Sequence, residues 1–225
     1  MSFNSFTKDD LDNCLKELAK EYRRLAGKDM PAEIVLVGGA AVLTRYGFRD
    51  MTTDVDAIIH AASSMKDAIN KVGDKFDLPN NWLNADFMRT GSYSPRLDEV
   101  SVYYREFSNV LTVRAVTDEY LIAMKLRSGR KYKNDLSDII GVLADHERNN
   151  KPITMEMVDK AVEKLYGGWK GFSEDSKPFI EPSVKGEEKE SKEILIDFEK
   201  EYENGANASN VDDILKSLRA KLNEK

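Results

Sequence analysis

The sequence contains little cysteine and histidine and no long hydrophobic run, and each of these shortages excludes a class of protein. One cysteine and two histidines among 225 residues are too few for an internal disulfide or a zinc site of the usual ligands. No apolar run reaches the length of about 20 residues that spans a bilayer, so we expect no membrane segment. The first ten residues lack the basic-then-apolar order of a signal peptide, and together these features predict a cytoplasmic protein.

Charge is abundant, but its two signs are unevenly distributed. The net charge is −6, and residues 171–225 carry 9 basic against 14 acidic side chains, whereas the rest of the chain carries 25 against 26. We therefore predict an α/β domain at 1–117, a helical part at 118–170 and an acidic linker or tail at 171–225 that ends in an amphipathic helix. A nearly neutral body can still hold a local basic groove, so nucleotide and RNA substrates remain open.

The periodicity of apolar residues predicts alternating helices and strands. The leucines of residues 7–26 recur every three or four positions, which indicates a helix with Thr7 as its cap. Apolar runs predict strands at 34–37 and 54–59, and residues 100–116 read as a hairpin with Ser108-Asn109 at the turn. Further helices are predicted at 40–46, 64–76, 119–128, 135–145 and 154–166. This order is typical of the α/β (α+β) class.

The most informative pattern combines a glycine pair with two aspartates. An apolar strand leads into Gly38-Gly39, and the next predicted strand carries Asp54 and Asp56. Glycines at the start of a helix leave backbone N–H groups open to phosphate. Alternate residues of a strand face the same side, so two carboxylates about 6 to 7 Å apart can bind a divalent cation. The combination predicts a metal-dependent enzyme that acts on a nucleoside triphosphate.

Two segments in this order resemble the nucleotidyltransferase superfamily, in particular the abortive-infection (AbiE-type) toxins of type IV toxin–antitoxin systems. The first segment reads Leu-Val-Gly-Gly-Ala-Ala at 36–41, Arg-Tyr-Gly at 45–47 and Thr-Asp-Val-Asp-Ala-Ile-Ile at 53–59. The second begins Tyr-Leu-Ile-Ala-Met-Lys-Leu-Arg at residue 120 and runs to residue 139. The resemblance covers about residues 33–145 and implies a mixed sheet with flanking helices.

The resemblance implies a transferase that moves a nucleoside monophosphate from a nucleoside triphosphate, its substrate, to a hydroxyl group of an RNA such as tRNA or of a protein. Asp54 and Asp56 would bind Mg²⁺ or Mn²⁺. Gly38 and Gly39 would let the backbone approach the phosphates. Such a transfer requires metal ions and positively charged side chains, because negative charge develops on the triphosphate and on the attacking oxygen.

The second matching segment implies which positively charged side chains would take part in the same reaction. Lys125 is the expected cation for the triphosphate. Arg130 or Lys133 would contact phosphate or RNA, and Asp135 or Asp138 would orient these cations or cap the helix. Lysine alone on a helix is more often a surface residue, so the role of Lys125 depends on the whole segment.

The superfamily usually has a third carboxylate on a neighbouring strand, and the sequence departs from that pattern. The candidate strand reads Asp-Glu-Val-Ser-Val-Tyr-Tyr at 98–104, with no aspartate in its middle. Glu99 lies in phase with Ser101 and Tyr103, so we predict Glu99 as the third catalytic carboxylate, with Asp98 behind it. A register shift of one residue would turn Glu99 to the other face.

The spacing of the motifs bears on the biological role. Fourteen residues separate Gly39 from Asp54, and Arg-Tyr-Gly lies between them. The small antitoxin-type transferases place these motifs closer together, so the spacing resembles the toxin type and implies a cognate antitoxin as partner. The alternative is a catalytically weak or inactive protein of the same fold that acts as a binding or regulatory partner and binds a basic protein through its acidic tail.

Overall fold

A computed structural model of the chain describes residues 5–129, 135–174, 176–177 and 180–181. The chain divides into two compact units, Met1–Leu121 and Ile122–Lys225. Within the described ranges, no helix is both long enough and apolar enough to cross a membrane. The predicted terminal helix and most of the acidic tail lie outside the described residues.

The described part of the first unit is built on one mixed sheet of five strands. The strands are β1 (Ala32–Leu36), β2 (Val55–His60), β3 (Leu83–Asn84), β4 (Ser101–Phe107) and β5 (Leu111–Val116). Their order in the sheet is β3-β2-β1-β5-β4. Strand β1 pairs antiparallel with β2 and parallel with β5. The helices of this part are α1 (Lys8–Ala26), α2 (Gly38–Arg45), α3 (Ser64–Phe76) and the start of α4 (Asp118–Ser128). The predicted α/β class with a mixed sheet is confirmed.

Helix α1 forms because its sequence supplies both a cap and an apolar face. The hydroxyl of Thr7 accepts from the Asp10 backbone N–H at 3.2 Å, and Asp10 in turn accepts from the Thr7 backbone, which makes a capping box. The buried face packs against α3, and it contains Leu11, Cys14, Leu15, Leu18 and Tyr22. Burial, and secondarily the charge of Asp10, raise the pKa of the Cys14 thiol to about 12, so it stays protonated as a small apolar group.

The β4–β5 hairpin confirms the turn that the sequence predicts. Ser108 and Asn109 both adopt positive φ angles, 54° and 52°, and the Val110 N–H donates to the Phe107 carbonyl at 3.2 Å, which closes the turn. On β4, Tyr104 donates to Asp12 of α1 at 2.8 Å, whereas the neighbouring Tyr103 is 61% exposed. The hairpin therefore presents one side to α1 and leaves Tyr103 on the other.

The described part of the second unit contains the rest of α4 and two further helices, α5 (Asp135–Arg148) and α6 (Met155–Tyr166). Thr154 caps α6 by accepting from the Met157 N–H at 3.3 Å. The guanidinium of Arg127 lies over the rings of Tyr166 and Phe172, at 5.5 and 5.1 Å from their centroids. These cation–π contacts join the end of α4 to the segment after α6.

Tyr46 and Asp118 connect the end of α2 to the start of α4. The Tyr46 hydroxyl donates to Asp118 Oδ1 at 2.8 Å and accepts from the Asp118 backbone N–H at 3.0 Å. Asp118 has a φ of 56°, a backbone conformation that residues other than glycine rarely adopt. Burial and then the negative charge of Asp118 raise the pKa of Tyr46 above its ordinary range, so the phenol remains a donor.

Tyr46→Phe is expected to lower the free energy of unfolding by about 1 to 3 kcal/mol, because it removes one donor to a carboxylate and one acceptor for a backbone N–H. Urea denaturation followed by circular dichroism measures the change. Tyr103→Phe is the matched control, since that ring is 61% exposed and should alter stability little. Equal midpoints for both variants would contradict a stabilising role for the Tyr46–Asp118 contact.

Candidate functional site

The sheet brings the glycine pair and the two aspartates together, where β1 ends and β2 begins. Because β2 runs antiparallel to β1, the end of β1 lies beside the start of β2, with Leu36 opposite Ala57. The Val37 N–H donates to the Asp56 carbonyl at 3.1 Å, which continues this pairing by one residue. Helix α2 therefore begins directly beside Asp56, as the glycine–aspartate hypothesis requires.

The two aspartates stand at the start of β2. Asp54 immediately precedes the strand and is exposed, whereas Asp56 is the second strand residue and is half-buried. The Thr52 hydroxyl donates to the Asp54 carbonyl at 3.1 Å, and the Thr53 hydroxyl lies 3.4 Å from Asp54 Oδ1. These contacts fix the backbone that leads into the strand.

The amino end of α2 has no side-chain cap, because Val37 occupies the cap position. Gly38 adopts a φ of 54°, so its lack of a side chain is a conformational requirement. A Cβ atom on Gly38 would lie 3.9 Å from Asp56 Oδ2, which places the carboxylate beside the first helical turn. The N–H groups of a first turn have no partners within the helix, and they attract anions.

Gly39 is a glycine for a different reason, namely close packing. A Cβ atom there would lie 2.7 Å from Thr52 Oγ1, 3.0 Å from Arg49 Nη2 and 3.2 Å from Arg49 Cζ. The segment between the two motifs thus folds back onto the amino end of α2. Neither Arg49 nor Thr52 could be assigned from the sequence, since only their long-range packing reveals them.

The segment after α2 is held by the amino-terminal part of the chain. Thr52 is buried and exchanges two backbone hydrogen bonds with Phe6, at 2.6 and 2.9 Å. The Phe6 ring is also buried and lies 5.9 Å from the ring of Trp82. Arg49 Nε donates to the Met51 carbonyl at 2.9 Å. Arg49 is therefore part of a fixed loop.

Glu99 does not occupy the strand in which the sequence places it. Strand β4 begins at Ser101, and Glu99 lies exposed in the preceding turn, where its N–H donates to the Arg96 carbonyl at 3.1 Å. The expected strand position is wrong because this turn continues through residue 100. Asp98 Oδ2 lies 3.1 Å from His60 Nε2. Within the described part of the chain, no group of three or more His, Cys, Asp or Glu residues could hold a metal ion.

Lys125 lies in a buried ion-pair cluster of the second unit. Its ammonium lies 2.9 Å from Asp135 Oδ1 and 2.7 Å from Asp138 Oδ2. The side chains of Lys125 and Asp138 are 3% and 2% exposed. The Ser128 hydroxyl donates to Asp135 Oδ2 at 2.7 Å. The structure thus pairs Lys125 with Asp135 and Asp138. The sequence proposed these aspartates to orient Arg130 or Lys133 or to cap the helix, and Arg130 and Lys133 lie outside the described residues.

Comparison with known protein families gives a match over more than half of the chain. The model of a family described as "Nucleotidyltransferase of unknown function (DUF6036)" matches residues 13–166. That range contains the glycine pair, both aspartates of β2 and Lys125. No curated protein and no solved structure matches the chain.

Lys125→Met is expected to lower the free energy of unfolding by about 3 to 5 kcal/mol, because it removes the cation from two carboxylates that are largely withdrawn from water. Urea denaturation measures the loss. The matched control is Lys160→Met, which breaks the exposed Lys160–Glu156 pair and should have little effect. A Lys125→Met protein as stable as the wild type would contradict the structural importance of this cluster.

Proposed function

The chain belongs to this family of nucleotidyltransferases of unknown function, and we propose that it is a metal-dependent enzyme that moves a nucleoside monophosphate from a nucleoside triphosphate to a hydroxyl group of an RNA or a protein. The observation that carries this proposal is the meeting of Asp56 with the uncapped amino end of α2, at 3.9 Å from the Cβ position of Gly38. This edge joins groups suited to a cation with groups suited to phosphate.

The donor set of the site fits Mg²⁺ or Mn²⁺. Mg²⁺ keeps several waters and is usually bound by one or two carboxylates together with the phosphates of the substrate. Asp54 and Asp56 provide two carboxylates at the start of β2, one on an exposed residue and one on a half-buried residue. The bound ion would neutralise charge on the triphosphate and on the attacking oxygen.

We assign the phosphate side of the site to the first turn of α2. Gly38 places no Cβ atom beside the backbone here, whereas the corresponding space at Gly39 is filled by Thr52 and Arg49. The N–H groups of a first helical turn have no partners within the helix, and α2 has no side-chain cap. The partial positive charge at a helix amino end adds to their attraction for an anion. The main chain of α2 would thus bind phosphate without reading the base.

Lys125 is the proposed cation of the second unit. A lysine ammonium has three N–H donors, and within the described residues two of them are directed to Asp135 and Asp138. The two carboxylates hold the ammonium in one position. Arg130 and Lys133 are proposed as further phosphate or RNA contacts from the motif alone.

Nucleotidyl transfer is the direct test. Protein supplied with Mg²⁺, each of four α-labelled nucleoside triphosphates and either tRNA or a protein extract should label one acceptor. The Asp54→Asn/Asp56→Asn variant is expected to lose on the order of 10³-fold in rate, since the metal supplies several kcal/mol of transition-state stabilisation.

Asp50→Asn is the control for this experiment, because Asp50 is an exposed carboxylate of the same segment and should be replaceable. Glu99→Gln in the same assay tests the third carboxylate that the sequence proposes. Equal labelling by the wild type and the double variant would overturn the proposed reaction. Absent binding of every nucleoside triphosphate in calorimetry would favour the inactive binding protein instead.

We further propose a toxin of a toxin–antitoxin system as the biological role, supported by the wide spacing of fourteen residues between Gly39 and Asp54. Induced expression in a bacterial host should then arrest growth, and the Asp54→Asn/Asp56→Asn variant, expressed at the same level, should not. A small protein encoded beside this chain should restore growth when both are expressed. Normal growth at high expression of an active enzyme would rule out the toxin role.

A further inference from the structure

The first residues of β2 are held in place by main-chain hydrogen bonds from both sides. The Val55 N–H donates to the Trp82 carbonyl at 3.0 Å, and the Asp56 carbonyl accepts from the Val37 N–H at 3.1 Å. These bonds continue the pairing of β2 with β3 and with β1. The main chain at Asp56 is therefore positioned by the sheet itself, without help from a side chain.

Asp54 precedes the strand, and a side chain holds its main chain instead. The Thr52 hydroxyl donates to the Asp54 carbonyl at 3.1 Å. Asp54 is exposed, and its Oδ1 atom makes only a long contact of 3.4 Å with the Thr53 hydroxyl. An exposed carboxylate samples many orientations, and the loss of that freedom on binding a cation costs affinity. A fixed main chain at Asp54 reduces this loss.

Thr52 can hold Asp54 because it is itself fixed on several sides. The residue is buried, and its hydroxyl oxygen would stand 2.7 Å from a Cβ atom on Gly39. Its main chain exchanges two hydrogen bonds with Phe6, at 2.6 and 2.9 Å. The Phe6 ring is buried in turn and lies 5.9 Å from the ring of Trp82. The Thr52 hydroxyl is thus supported by packing, as an orienting group requires.

Resting on the proposed function, we infer that Thr52 is a positioning residue of the metal site, which acts through the main chain of Asp54 and not as a ligand. The hydroxyl bond at Asp54 does for the first carboxylate what strand pairing does for Asp56. Groups that orient metal ligands typically contribute about 10-fold to 100-fold in metal affinity, so the effect is measurable without any catalytic assay.

The test compares two buried threonines that differ in which carbonyl they bind. Thr52→Val removes the hydroxyl at similar volume, and Thr44→Val does the same within α2, where the hydroxyl bonds the Ala40 and Ala41 carbonyls at 3.0 Å. Calorimetry with Mn²⁺ alone should show that Thr52→Val weakens the Kd about 10-fold, whereas Thr44→Val leaves it unchanged. Thermal melting should show a loss of stability in both variants, since each loses a buried hydrogen bond.

Rescue by serine separates the hydroxyl from the packing of the side chain. Thr52→Ser keeps the donor and loses a methyl group, so it should bind Mn²⁺ as the wild type does even where it melts at a lower temperature. If Thr52→Val does not fold, Thr52→Cys takes its place, because a thiol is only a weak donor and should also weaken Mn²⁺ binding.

Two results would overturn the inference. The first is a folded Thr52→Val protein that binds Mn²⁺ as tightly as the wild type, which would show that Thr52 only packs the loop. The second is an equal loss of Mn²⁺ affinity in Thr44→Val, because the loss would then follow stability alone.

The same titrations distinguish the inference from the function on which it rests. If Asp54→Asn/Asp56→Asn loses Mn²⁺ binding while Thr52→Val keeps it, the positioning role fails and the metal site stands. If the double aspartate variant binds Mn²⁺ as the wild type does, the proposed metal site fails and the inference fails with it. A wild type that binds no Mn²⁺ would likewise overturn both.

Discussion

The antiparallel pairing of β1 with β2 is the constraint on which the candidate site depends. Leu36 pairs with Ala57, and the Val37 N–H continues the pairing to the Asp56 carbonyl. A slip of one residue would turn Asp56 to the opposite face of the sheet and carry it away from the start of α2. The buried apolar residues of both strands fix the register, so the hydrophobic core of the first unit also sets the geometry of the carboxylates.

The second unit fixes Lys125 by a different force. A buried ion pair is a weak source of stability, because the loss of hydration offsets much of the attraction, and an apolar side chain of similar size often serves as well. Lys125 nevertheless stands between Asp135 and Asp138, with only 3% of its side chain exposed. Such a cluster holds the Lys125 ammonium in one orientation and joins α4 to α5.

Local signals explain which parts of the fold were predictable from the sequence. The cap at Thr7 predicts helix α1, and Ser108-Asn109 predicts the turn of the β4–β5 hairpin. Both signals are readable because their contacts lie within a few residues. Strand β3 is only two residues long and pairs with β2 from a distance, so no periodicity reveals it. Glu99 was misplaced because alternation cannot fix where a strand begins. Arg49 was missed because its packing on α2 arises only after the chain has folded.

The wide spacing between the motifs acquires a physical meaning from this packing. Helix α2 has eight residues and a rise of about 12 Å, so the chain must return over that distance before β2 can start beside the helix's amino end. A shorter connection could make the return but would have few residues left to fold over the first turn. Here the returning segment places Thr52 and the Arg49 guanidinium on Gly39 and ties itself to Phe6. The added length therefore forms an ordered wall, made by Arg49 and Thr52, against the amino end of α2 and beside the start of β2.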